Sequence, residues 1–263
     1  MQFATVQFDI IWEDKSANHA LIEQLLHEAG IEPGTFVVLP ELGDTGFSFN
    51  LPKILDEKTL DWGIDLARRL GIWLQVGYAR STDSDKGLNC ASIISPQGEV
   101  IATYAKIHPF SYSRESEYFV GGDQLVIRTC DGLKVCPMIC YDLRFPELWR
   151  HGVLGGAEVF TIGASWPEAR QAHWRSLLLA RAIENQAFVV AVNRIGVDPN
   201  LGYAGGSLII SPRGEILAEA GHEPQVLRAE LNPNSIRRWR EEFPALRDLR
   251  RDLLGAIPID QTI

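Results

Sequence analysis

Apolar residues follow two different periods along this chain. Short runs rich in Val, Ile, Phe and Tyr recur at residues 3–8, 36–39, 72–78, 133–139, 159–162 and 188–192, and each reads as a strand. Between several of these runs the apolar spacing lengthens to that of a helix. Residues 15–29 carry Ala17, Leu21, Leu25 and Ala29 on one face, and 55–70 and 171–186 are patterned alike. Gly30 and Gly71 follow the first two helices, where a left-handed residue closes a helix at little steric cost. Strands alternating with helices predict an α/β fold.

One pattern occurs twice. Residues 91–102 read ASIISPQGEVIA and residues 207–218 read SLIISPRGEILA. Each is an apolar strand, a Ser-Pro-x-Gly turn and a second strand. Pro presets the first central dihedral of the turn, and Gly supplies a positive φ at its exit. Read as related halves, the two hairpins predict two packed sheets within a single domain over residues 1–263. Read plainly, they are unrelated hairpins with good turn chemistry. From about residue 232 a C-terminal arm mixes charge with Ile236, Trp239, Phe243 and Leu246. It either anchors a second subunit or packs on its own.

Composition narrows the partners. A chain of 263 residues with 46% hydrophobic and 22% charged content can bury a large core without disulfides or a metal. A formal net charge of -9 argues against nucleic acid or an anionic membrane as the main partner, since both demand a basic face. A small anion is still admissible, held by one or two arginines. The N-terminus, MQFATVQFDI, lacks a signal-peptide pattern, and no run approaches the roughly 18 apolar residues of a membrane span. Cys90, Cys130, Cys136 and Cys140 form no C-x-x-C pair, and the six His and four Cys lack zinc-type spacing. The expectation is a cytoplasmic protein with free thiols and no metal or cofactor.

Which thiol is reactive depends on its flanks. Cys140 sits in LKVCPMICYDLRFPELW, where an apolar strand runs into it and a helix is expected near Pro146, with Glu147 complementing the helix dipole. Strand, nucleophile, tight turn, helix is the geometry of a nucleophile elbow. It presents the thiol outward and brings the N–H of Tyr141 toward the same point as an oxyanion donor. A buried core thiol is the plain alternative, and Cys136, inside the strand, fits that better. Glu41, in FVVLPELGDTGF, follows a strand end, where ligands of open α/β sheets collect and a proton acceptor is useful. Lys106, in ATYAKIHPF, follows the first repeat hairpin, and a buried ammonium there would stabilise charge on a carbonyl oxygen. Glu115 and Glu117, in HPFSYSRESEYFVGGD, read alone as solvated loop carboxylates.

Three blocks then acquire a common meaning. PEL at 40–42, YAKIH at 104–108 and CYDLRFPE at 140–147 resemble, in order, the signature blocks of the nitrilase, or carbon–nitrogen hydrolase, superfamily. Residues 165–196, SWPEARQAHWRSLLLARAIENQAFVVAVNRIG, are similar to its omega-amidase-like branch. The resemblance implies a four-layer α-β-β-α sandwich with two mixed β-sheets. It implies Glu41, Lys106 and Cys140 as a catalytic triad, acting through a thioester, and Glu115 as the second glutamate, with Glu117 as its rival. It also implies a homodimer or higher homo-oligomer. The substrate it suggests is a small carboxylate-bearing amide, such as the omega-amide of a 2-oxo acid. N-carbamoyl amines, other aliphatic amides and nitriles are the alternatives.

Tyr141 and Trp166 are candidates to line the pocket, or else core residues. Arg144 either holds a substrate carboxylate or, the reading favoured from sequence, pairs with Glu147 or Asp142 as scaffold. A papain-like site using His108 or His173 and a non-catalytic binding protein on the same fold are the competing classes.

Overall fold

Residues 1–56, 58–253 and 259–261 are described in a computed structural model of the chain. In chain order the strands are β1 (Gln2–Gln7), β2 (Phe36–Val38), β3 (Trp73–Ser81), β4 (Gly87–Ile94), β5 (Val100–Ala105), β6 (Leu125–Cys130), β7 (Leu133–Ile139), β8 (Val159–Ala164), β9 (Phe188–Asn193), β10 (Ile195–Val197), β11 (Gly202–Ala204), β12 (Leu208–Ile210), β13 (Ile216–Glu219), β14 (Gln225–Glu230) and β15 (Ile259–Gln261). The helices are α1 (Lys15–Glu28), α2 (Leu51–Ile54), α3 (Lys58–Leu70), α4 (Glu115–Tyr118), α5 (Pro146–Leu154), α6 (Gln171–Asn185) and α7 (Pro233–Glu242).

The strands form two large sheets, ordered β14-β1-β2-β3-β4-β5 and β13-β12-β9-β8-β7-β6-β15. Each has a parallel centre, β1-β2-β3 in one and β7-β8-β9 in the other, with antiparallel flanks, except that β15 joins β6 in parallel at the edge of the second sheet. Parallel strands must be covered on both faces. The outer face of the first sheet takes α1 and α3, through Ile22, Leu26 and Leu66. The outer face of the second takes α5 and α6, where the Trp149 ring lies tilted against Phe160 and both Trp174 and Leu178 are fully buried. The two inner faces meet, and Thr161 of β8 donates to Gln75 of β3 across the gap. The order is therefore helix, sheet, sheet, helix, as the resemblance implies.

The two repeat hairpins close opposite sheets in the same way. In each, the serine amide and carbonyl bond the strand beyond the turn, through Ser95 with Glu99 and Gly98, and through Ser211 with Glu215 and Gly214. Both glycines have the positive φ their turns demand, at 78° and 84°.

Boundaries differ by three residues at two places and by one or two elsewhere, as where β8 runs on to Ala164. The helix expected from residue 55 begins at Lys58, because the Asp56 carboxylate accepts the Lys58 amide and ends the preceding turn. The strand expected to stop at 78 runs to Ser81, since β4 pairs with it as far as Gly87. In the C-terminal arm, α7 packs on its own subunit. Ile236 is fully buried, and Arg237 pairs with Glu158 at 2.8 Å. Phe243 remains 55% exposed. No helix among the described residues is long and apolar enough to cross a membrane.

Candidate active site

Strand ends deliver the chemistry. Glu41 lies just beyond β2, Lys106 follows β5, Cys140 follows β7 and Ser165 follows β8. The segment entering Glu41 is pinched between the sheets. A Cβ on Gly77 would lie 2.3 Å from the Pro40 carbonyl oxygen, and one on Gly163 would lie 2.5 Å from the Leu39 oxygen and 2.9 Å from the Glu41 nitrogen. Only glycine fits either position, so both sheets press on the backbone that carries Glu41.

Local strain collects at the same place. Leu42, directly after Glu41, has φ +44°; Arg114, directly before Glu115, has +69°; Cys140 itself has +41°. Side chains rarely adopt this left-handed region, at a cost of roughly 1–3 kcal/mol each, and such residues gather where function fixes the backbone. Cys140 opens a tight turn, Cys140–Arg144, which leads into α5 at Pro146. Asp142 stabilises that turn. Its carboxylate accepts the Ile139 amide, the Tyr104 hydroxyl and the His108 amide, which ties the Lys106 segment to the Cys140 segment.

Lys106 is buried between two carboxylates. Its Nζ donates to Glu41 Oε1 at 2.7 Å and to Glu115 Oε2 at 2.8 Å. Asn89 Nδ2 bridges the same pair, at 2.9 Å from Glu41 Oε1 and 2.9 Å from Glu115 Oε1. The Ser165 amide donates to Glu41 Oε2 at 3.0 Å. An ammonium has three N–H donors. Glu41 takes one, and Glu115 takes another, shared between its two oxygens at 2.8 Å and 3.1 Å, which leaves one for a ligand. Burial alone would push the Lys106 ammonium down, but Glu115 and then Glu41 outweigh it and hold the group well above its ordinary value. Cys140 is pushed the same way for another reason. Burial and the neighbouring Glu41 carboxylate raise its thiol, and Lys106 offsets only part of that. The resting sulfur is therefore held as a thiol beside the Glu41 carboxylate. Among the other thiols, burial pushes Cys130 up to about 12 and Cys136 further still.

A cavity of about 410 Å³, its mouth included, opens onto Cys140, Glu41 and Lys106. Tyr141, Trp166 and Arg144 line it, as do Phe47, Phe110, Arg170 and Tyr203. Glu115 is fully buried behind Lys106. Glu117 is displaced from the site; it is exposed and pairs with Arg114 at 2.6 Å. The scaffold pairing favoured for Arg144 does not occur. Asp142 is spent on the bonds already named, and Arg144 instead lies over the Trp166 ring, 4.7 Å from its centre. Neither His108 nor His173 lines the cavity: His108 stacks on Phe145, and His173 is exposed near Arg144.

Sequence reasoning missed Asn89, Ser165 and Arg170. Asn89 had a signal, since a lone polar residue in the apolar strand GLNCASII must find partners once buried. Ser165 acts through its backbone, and Arg170 through a loop, so neither left a pattern to read.

Comparison with known proteins agrees with this arrangement. The family model described as carbon-nitrogen hydrolase matches residues 2–241. The 2-oxoglutaramate amidase of Bacillus subtilis is 37% identical over 252 residues, covering 94% of this chain and 97% of that protein. The omega-amidase YafV of Escherichia coli K12 is 34% identical over 252 residues, covering 94% and 96%. Among solved structures, XC1258 of Xanthomonas campestris, described as a CN-hydrolase superfamily protein with an arsenic adduct in its active site, superposes with a TM-score of 0.90. It is 32% identical, over 97% of this chain and 99% of that one. With the family model spanning both sheets and all the strand ends of the site, the chain belongs to the carbon–nitrogen hydrolase family.

Proposed function

We propose that the chain is a cysteine-dependent amidase that removes ammonia from the omega-amide of a small 2-oxo acid, such as 2-oxoglutaramate. The observation that carries the reading is one cavity lined by Cys140, Glu41, Lys106 and Arg144, the last without an ion pair among the described residues. The relatives named for 2-oxoglutaramate and omega-amide hydrolysis support the substrate class.

The chemistry follows from the proton inventory. Glu41 and Glu115 carry two negative charges against one on Lys106, so a thiolate would add a third anion to a buried site. The proton on Cys140 passes to Glu41 only as sulfur bonds to the amide carbon. Glu41 Oε1 is filled by Lys106 and Asn89, which leaves Oε2 to take it. The carbonyl oxygen gains charge as the bond forms, and the free N–H of Lys106 and the N–H of Tyr141 receive it. Glu41 hands its proton to the departing nitrogen, ammonia leaves, and a thioester remains. Water, deprotonated by Glu41, attacks the thioester; the acid departs and the proton returns to sulfur. Glu115 holds Lys106 in register throughout, and Arg144 takes the substrate carboxylate.

Ammonia release from a panel of small amides tests the assignment. The 2-oxo acid amides should lead; if they are the poorest of the panel, the substrate class is wrong. Acid quenching during turnover should add an acyl mass to the peptide containing Cys140, and an adduct on Cys90, Cys130 or Cys136 instead would remove Cys140 from the mechanism. Lys106→Ala should lose roughly two to three orders of magnitude in turnover. The reading extends to a cytoplasmic homodimer: free thiols suit a reducing compartment, and the exposed Phe243 and Ile183 supply apolar anchors for a second subunit.

A further inference from the structure

Arg170 ends a short turn, Glu168–Arg170, in the loop after β8. Its guanidinium lies over two aromatic rings, 5.5 Å from the centre of Phe110 and 6.0 Å from that of Tyr112. It lines the cavity of Cys140 and also a larger neighbouring chamber that includes Tyr112, Arg114 and Tyr118. It therefore stands where the two meet. Neither Arg170 nor Arg144 forms an ion pair among the described residues, whereas Arg114, Arg175, Arg213 and Arg250 do. The two are close enough to feel each other. Burial first, and then the charge of Arg170, push the Arg144 guanidinium below its ordinary value.

Two unneutralised cations sharing one wall are unfavourable in an empty cavity, and the chain as a whole is acidic at net charge -9. An anion bound between them removes the repulsion and gains charge-assisted hydrogen bonds. The Glu41 carboxylate also lines the cavity, with Glu115 buried behind Lys106, and the two repel that anion from the sulfur and leave the neutral amide end to meet it. The charge layout thus orients an elongated substrate with its carboxylate toward the arginines.

We propose that Arg170 is a second guanidinium of the substrate carboxylate subsite and sets the preference for acidic over neutral amides. The inference rests on the reading that the substrate carries a carboxylate, and it adds a specificity residue to it.

The test compares 2-oxoglutaramate with uncharged pentanamide by ammonia release, using the full-length protein and its Arg170→Met and Arg170→Lys variants. The ratio of kcat/KM for the acidic amide over the neutral one should fall about 10–100-fold in Arg170→Met, carried by KM rather than kcat. Arg170→Lys, which keeps the charge and guards against a folding defect in the first variant, should recover part of the ratio. Competitive inhibition by 2-oxoglutarate, measured against pentanamide, should weaken in Arg170→Met by a similar factor. An unchanged ratio together with unchanged inhibition overturns the proposal, as does an equal fall for both amides. Should the native enzyme prefer pentanamide, the substrate reading fails by itself. The inhibition measurement then still decides whether Arg170 binds the anion.

Discussion

Glu115 never reaches the cavity surface, yet the charge state of Lys106 rests on it, and the Glu115→Gln variant exposes that dependence. Lys106 is completely buried, which by itself drives an ammonium toward the neutral amine. Glu115 is the strongest influence in the opposite direction, with oxygens at 2.8 Å and 3.1 Å from Nζ. At an effective dielectric near 20 and a charge separation of about 3.5 Å, the attraction is about 5 kcal/mol, or about 3.5 pH units on the lysine. Glutamine keeps the shape and one hydrogen-bond acceptor, so a net fall of roughly two to three units is expected. In the native enzyme the ammonium persists beyond the ordinary lysine value, and the stabilisation it gives is present below that value and lost only as pH rises through the higher folded one. In the variant that loss moves down by the same two to three units, to the alkaline end of the measurable range. The profile of kcat/KM from pH 6 to 12, read by ammonia release, should fall at its alkaline end in Glu115→Gln, on a limb centred about two to three units below any limb the native enzyme shows. At neutral pH the ammonium is still present, and turnover should survive at roughly a tenth to a hundredth of the native rate. An unaltered alkaline profile in the variant would refute the claim that Glu115 acts by holding the charge on Lys106.

Other consequences are as direct. Gly163→Ala sets a methyl group against the Leu39 oxygen and the Glu41 nitrogen, and should cost about 1–3 kcal/mol of stability in a denaturant titration. It should also cut kcat by on the order of 100-fold, since a 1 Å displacement of a reacting group suffices for that; native turnover would show that the pinch does not position Glu41. Iodoacetamide followed by peptide mapping should modify Cys140 while sparing Cys130 and Cys136, with a rate that climbs with pH past 9 because the thiol is held protonated. A rate independent of pH between 6 and 9 would mean that a thiolate is already present in the resting enzyme.

Much of this was legible in the amino-acid order, for identifiable reasons. Strand periodicity located both parallel centres, because strands covered on both faces leave continuous apolar runs such as FVV and VFTIGA. Cys140 could be singled out because a strand, a turn and a helix-starting Pro follow one another in a single stretch. The resemblance ranks Glu115 above Glu117, but the residues read alone do not separate them, since the difference lies in a left-handed Arg114 that turns one carboxylate inward and leaves the other in solvent. That Arg144 lacks a carboxylate partner was hidden for a related reason. Asp142 sits near it in sequence, but Tyr104 of β5 and His108 of the loop after it occupy its carboxylate. Partners brought from the opposite sheet leave no mark on the local sequence.

The left-handed backbone at Cys140 bears on how this protein would respond to engineering. An alanine there retains the Cβ that the conformation disfavours, whereas a glycine is released from it, so Cys140→Gly should melt above Cys140→Ala. A search for thermal tolerance alone would thus favour replacing the sulfur-bearing residue by glycine. Robustness and turnover compete at a single atom, and any screen for hardier variants has to read ammonia as well as melting.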